Sequence, residues 1–221
     1  APKDAAGNPN PEMAPDVVNN SWGGASGLDE WYRQIVLAWR AADIFPEFSA
    51  GNTTNWNPGG PGSVANPANY PESFATGATD NKNNLAGFSL QGPSPYGVMK
   101  PDISAPGVNI RCSVPGSKYE GGWNGTSMAG PHVAAVAALL RQVNANVSVD
   151  DIEEILTTTA NPLTNSYYPE SPNNGFGAGL VNAYAAVSTM ISGLGTIKGQ
   201  VVFDGEDVES PIVEHSAPKE G

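Results

Sequence analysis

Gly125-Thr126-Ser127-Met128-Ala129-Gly130-Pro131-His132 runs directly into Val133-Ala134-Ala135-Val136-Ala137-Ala138-Leu139-Leu140, and this junction decides how the chain is read. A glycine-led turn hands a serine to the first turn of an apolar, alanine-rich segment, which predicts a buried helix over residues 126–143. The first N–H groups of a helix have no intrahelical acceptor, and the dipole there is positive. A serine in that position stands beside donors suited to a developing oxyanion. Ser127 is thus the candidate nucleophile, and its own N–H a candidate oxyanion donor. The strand-turn-helix elbow of α/β-hydrolases is excluded, because Ala129 stands where the second elbow glycine is required.

Length and composition set the frame around this motif. A chain of 221 residues with 26 glycines and 20 prolines suits one main globular core with many tight turns. The formal charge of −12 argues against nucleic acid or an anionic membrane as partner, since both need a basic surface. No apolar run reaches transmembrane length. No signal peptide opens the sequence, which begins like mid-domain sequence, so export is not decided by it. Cys112 is the one cysteine, and it is expected to be a small buried residue of a strand Val108–Ser113, not a reactive thiol.

Along the chain, residues 1–16 are rich in Pro, Asn, Asp and Ala and predict an exposed loop. Val17–Ser21 predicts a strand ending at Trp22-Gly23-Gly24. Ser26-Gly27-Leu28-Asp29 has the form of a capping box before a helix whose apolar face is Leu28, Trp31, Tyr32, Ile35, Val36 and Trp39. Ile44–Ser49 predicts a strand with a bulge at Pro46 or a start after it. Further strands are expected at Ser73–Ala78, Leu85–Ser89 and Val108–Ser113, the last after a turn at Lys100–Gly107. A second capping box, Ser148-Val149-Asp150-Asp151, opens a helix through Thr158, and Gly179–Ala183 opens another ending near Met190. Strands alternating with helices predict an α/β fold with helices on both faces of the sheet. Residues 192–221 are acidic and proline-bearing, with strand character at Gly199–Gly205, and are expected to be a linker or the start of a β module.

Short segments in fixed order resemble the subtilisin-like serine peptidases. The serine motif carries all seven residues that family specifies in Gly-Thr-Ser-Met-Ala-x-Pro-His. Ser49-Ala50-Gly51-Asn52 resembles its oxyanion segment, and Asn20-Ser21-Trp22-Gly23-Gly24 the strand that pairs with extended substrate. Asn66–Pro71 with Phe74–Ala78 resembles the border of the primary specificity pocket, and Phe88-Ser89-Leu90-Gln91-Gly92-Pro93 and then Ser104-Ala105-Pro106-Gly107 follow in the same order.

The resemblance, covering residues 15–190, implies a mostly parallel twisted sheet in which the family's N-terminal strands are not among these residues. It implies a serine endopeptidase with Ser127 as nucleophile, Asn52 as oxyanion donor and Thr126 supporting Asn52. The groove would be lined by Ser21, Trp22, Gly23, Gly24, Ala50 and Gly51, without charge, and would bind peptide by strand addition with broad specificity.

Two catalytic segments of the family, an Asp in Asp-[Ser/Thr]-Gly and a His in His-Gly-Thr, are absent. The histidines are His132 and His215, and neither precedes glycine. His132 is expected to be structural, since it sits on the nucleophile's own helix and points away from it. Asp102, Asp150 and Asp151 are poor candidates to orient a base. The missing base and orienter are therefore expected from an upstream segment of the same polypeptide, acting as partner. The other reading is a catalytically incompetent peptide-binding module that keeps the groove. The resemblance also carries a cation site made of the main-chain carbonyls of Ala68, Tyr70 and Ser73, so calcium or another cation is possible though none is required. It implies a secreted, extracellular protein acting on protein or peptide substrates.

Overall fold

The computed structural model describes residues 2–193. The expected linker with its strand-like Gly199–Gly205, and His215, lie outside the described residues. Four strands, β1 (Val17–Asn20), β2 (Phe45–Ser49), β3 (Phe74–Thr79) and β4 (Ile103–Pro106), form a parallel sheet in that spatial order. Helix α1 (Arg33–Ala41) covers one face. Helices α2 (Thr126–Val143), α3 (Val149–Thr158) and α4 (Ala183–Gly193) build the other, with α2 in contact with all four strands. An exposed hairpin, β5 (Ile110–Val114) and β6 (Lys118–Trp123), stands apart from the sheet.

Parallel strands need cover on both faces, and β2 and β3 are buried along their whole length. Alternation divides their side chains. Phe45 and Phe74 join Val133, Leu140 and Ile152 beneath α2, whereas Phe48 and Ala75 join Val36, Val64 and Tyr70 beneath α1. Each large side chain removed from water in these clusters contributes ~1.5–3 kcal/mol. The buried positions of α2, among them Ala129, Gly130, Val133, Val136, Ala137 and Leu140, recur three and four residues apart and fall on one stripe.

Pro46 causes no bulge. It sits opposite Val18 in an unbroken β1–β2 register. Phe45 N–H donates toward β1, to Asp16 O at 2.9 Å, so the proline nitrogen faces the β3 side. There the ladder begins only at Glu47 opposite Phe74. No ladder hydrogen bond is lost.

Three further expectations change. Leu85–Ser89 is no strand: Ser89 N–H bonds back to Ala86 O at 2.8 Å, so the segment turns and leaves only the single bridges Thr79–Leu85 and Asn52–Ser89. The expected turn before residue 108 contains β4, whose outer edge is closed by Ser104 N–H to Gly179 O and Val181 N–H to Ser104 O. Its flanking prolines hide it from propensity. The first helix starts at Arg33, not after Leu28. Ser26 is drawn into a bridge with Ala65, and Asp29 Oδ1 accepts from Trp31 N–H at 3.1 Å in a local turn. Of the expected apolar face, Val36 is buried and Tyr32 and Trp39 pack against its cluster, while Leu28, Trp31 and Ile35 are exposed. The second capping box forms in both directions, Ser148 Oγ accepting from Asp151 N–H and the Asp151 carboxylate accepting from Ser148 N–H. Cys112 is half-buried in the hairpin, not enclosed in the core.

Candidate active site

Ser127 is the second residue of α2 and half-buried. Gly125 before it has φ 153° and ψ 157°, and its N–H is tied to Gly107 O at 2.9 Å. A positive φ favours glycine, and the turn requires it.

The first turn of α2 grips the end of β2. Thr126 is fully buried. Its N–H and its hydroxyl both donate to Asn52 Oδ1, at 2.9 and 3.0 Å, and its Oγ1 accepts from Gly51 N–H at 3.2 Å. Because two donors claim the Asn52 oxygen, the Nδ2 group must face the other way. It lies toward Gly125, 3.6 Å from where a side chain on that glycine would begin. Asn52, Thr126 and Ser127 line one cleft of about 210 Å³ together with Ser21, Trp22, Gly23, Gly24 and Gly51.

Pro131 shapes the site from inside the helix. A proline has no N–H, so the carbonyl four residues before it loses its helical partner. That carbonyl belongs to Ser127. Ser21 Oγ fills the gap, donating to Ser127 O at 3.0 Å, and Ser127 Oγ donates back to Ser21 O at 3.3 Å. The nucleophile candidate and the end of β1 are thereby joined by two hydrogen bonds.

The cleft differs from the expected groove at one residue. Ala50 is fully buried, with its methyl in the cluster under α1 and its main chain committed to Thr76 O and Ala65 N–H, so it does not line the cleft. Asn57, Ala65 and Leu90 form wall and floor instead; Asn57 and Ala65 carry no sequence signal, and Leu90 lies in the Phe88–Pro93 segment of the family resemblance, which gives it no place in the groove. Asn57 is held there by its Nδ2 donating to Ser63 O at 2.8 Å. Trp22 closes one side, edge-on to Tyr32 with ring centroids 4.9 Å apart. Among the described residues no charged side chain lines this cleft.

His132 Nδ1 donates to Met128 O at 2.8 Å. Asp102 accepts from Ala75 N–H at 2.6 Å and pairs with Lys100, Asp150 pairs with Arg40, and Asp151 caps α3. None of these four side chains reaches the cleft. Of the three carbonyls expected to hold a cation, Tyr70 O accepts from Ser73 N–H at 3.2 Å and Ser73 O accepts from Lys100 Nζ. That donor set does not fit a metal, since Lys100 occupies the Ser73 carbonyl and a main-chain N–H the Tyr70 carbonyl.

The chain is 73% identical over 215 residues to Bacillopeptidase F of Bacillus subtilis (strain 168), an alignment covering 97% of this chain and 15% of that protein. It is 40% identical over 170 residues to Alkaline elastase YaB of Bacillus sp. (strain YaB), covering 77% of this chain and 39% of that one. It therefore spans less than half the length of either relative. In fold it is similar to the prenylagaramide maturation protease PagA, with a TM-score of 0.63 at 22% identity over 79% of this chain and 62% of the other. The subtilase family model matches residues 3–179, from before β1 to the Gly179 contact that closes β4. With the serine helix, the asparagine it grips and the parallel sheet all inside that match, the chain belongs to the subtilase family of serine peptidases.

Proposed function

We propose that the chain carries the nucleophile and oxyanion half of a serine endopeptidase site. Ser127 Oγ attacks the scissile carbonyl carbon as its proton passes to a base. Asn52 Nδ2–H and Ser127 N–H hold the resulting oxyanion, the proton moves to the departing amine, and water then hydrolyses the acyl-enzyme. The observation that carries this reading is the capture of Asn52 Oδ1 by Thr126, which leaves the amide N–H₂ as the face available to the cleft. A module that only bound peptide would have no use for a donor fixed in that way.

The base and its orienter come from an upstream segment of the same polypeptide. It would add strands beside β1, the edge strand of the described sheet, and cover the outward-facing Pro131, Ala135, Ala138 and Leu139 of α2. Substrates are extracellular proteins or peptides, bound as a strand along Ser21–Gly24 and selected by shape, because the described residues of the cleft offer no ion-pair partner. Among the described residues no helix is long and apolar enough to cross a membrane.

An active-site serine phosphonate reagent tests the proposal. In subtilisin, a relative, loss of the catalytic groups costs roughly a millionfold in turnover. The 221-residue chain alone should thus label negligibly, and the chain combined with the upstream segment should label at Ser127 and not in Ser127→Ala. Peptide binding without labelling in the combined protein would favour the binding-module reading.

A further inference from the structure

Lys100 is 1% exposed. Its backbone is anchored on the strand side by Gly92 N–H donating to Lys100 O at 2.8 Å, and its ammonium reaches under the loop that precedes β3. There Nζ donates to Ser73 O and pairs with Asp102 Oδ2 at 2.6 Å. The same carboxylate oxygen accepts Ala75 N–H at 2.6 Å, so loop, lysine and aspartate close into one unit. Next to it, Arg40 Nη1 donates to Glu72 O at 3.1 Å. Two successive carbonyls of this loop therefore point at cationic side chains.

A carbonyl oxygen and a carboxylate converging on one buried point are the donors a hard cation seeks, at about 2.3–2.6 Å for calcium. An ammonium, with three donor hydrogens and no acceptor, seeks the same oxygens at similar range. The two occupants exclude each other by volume and by charge. We infer that Lys100 is a tethered cation that takes the place of a metal at the Ser73 carbonyl, making the loop before β3 independent of dissolved cations in this protein. This holds whatever the identity of the reaction at Ser127, since it concerns only the loop that precedes β3. A free ion leaves when its concentration falls; a lysine on the chain cannot.

The experiment is done on the full-length protein with two variants. Lys100→Ser removes the ammonium and leaves the oxygens facing a cavity, and Lys100→Met fills the cavity without charge. Thermal melts are recorded in calcium or potassium chloride from micromolar to 100 mM, with choline chloride matching ionic strength. The Lys100→Ser protein should gain about 5 °C or more over the wild-type response across that range, because ligand binding stabilises by mass action. Lys100→Met should show no gain beyond wild type. Rubidium-soaked crystals supply a second reading that does not depend on the variants folding. An anomalous peak within coordination distance of Ser73 O in the wild type, or equal cation responses in wild type and Lys100→Ser, would overturn the inference. A peak there in Lys100→Ser alone, or a wild type with none, supports it.

Discussion

Two ionisable residues buried at the sheet, Glu47 within β2 and Lys100 in the segment before β4, are treated in opposite ways. Lys100 meets a carbonyl and a carboxylate. Glu47, 0% exposed at the centre of β2, has no hydrogen-bond partner of ordinary geometry for either carboxyl oxygen. Burial pushes its acid up to about 8, and the nearby Thr76 hydroxyl and Asn20 main chain offset only part of that. A buried charge must be paired or discharged. The sheet does the first at Lys100 and the second at Glu47, which stays protonated through neutral pH. The carboxyl fits because Gly130 faces it: a side chain at 130 would begin 2.5 Å from Glu47 Oε1.

The sharpest way to break the contrast is Asp102→Asn. It leaves the Lys100 ammonium buried with its carbonyl alone, and removing one partner of such a pair costs about 3–5 kcal/mol. Urea unfolding of the full-length protein should show that loss. A change under about 1 kcal/mol would mean that the pair is screened like a surface bridge.

The Glu47 side responds to pH. Below the ordinary glutamate value of 4.5, folded and unfolded chains both hold the proton and titration of the residue takes nothing from stability. As pH rises toward about 8 the unfolded chain releases it and the folded one keeps it, so stability falls across that window and levels off above it. Glu47→Gln removes the proton linkage with little change of shape. It should match wild type near pH 4 and be more stable by roughly 2–4 kcal/mol at pH 9. A gap independent of pH would show that Glu47 is not the titrating group.

The smallest effect concerns packing. Gly130→Ala places a methyl against the Glu47 carboxyl and should cost about 1–3 kcal/mol, typical of overfilling a tight interior. Glu47→Ala should relieve most of that cost, which a double-mutant cycle measures directly. Additive losses would separate the two residues.

Local features were legible in the sequence, and features made by distant segments were not. Ser127 and Asn52 stand in short motifs whose residue types can be read locally, though Thr126 orients Asn52 and Ser21 orients Ser127 from far along the chain; the capping box at Ser148 is local in geometry as well. The strand at Ile103–Pro106 is invisible to propensity because two prolines flank it. It exists because Gly179–Val181 closes its outer edge and Thr76–Thr79 its inner one. Leu85–Ser89 shows the reverse, apolar enough for a strand but lacking a neighbour with free main chain to extend along. The cleft residues Asn57, Ala65 and Leu90 sit in turns whose positions are tertiary; Leu90 falls in the Phe88–Pro93 segment and Ala65 beside Asn66–Pro71, but neither segment's residue types mark which side chain becomes a wall. Glu47 is written in an ordinary strand context, and only the placement of Gly130 against it reveals how a carboxyl comes to be enclosed there.

Pro131 also has a mechanical consequence. By withholding one hydrogen from the helix it makes the Ser127 carbonyl a docking point for Ser21, so the edge on which a substrate strand would lie is clamped to the residue that would attack it. Thermal jitter in the sheet then carries both along together, and their separation changes less than either position does. Alignment between bond and nucleophile is thus held by a subtraction from the helix ladder, at a place where an ordinary helical residue would have let the two surfaces drift apart.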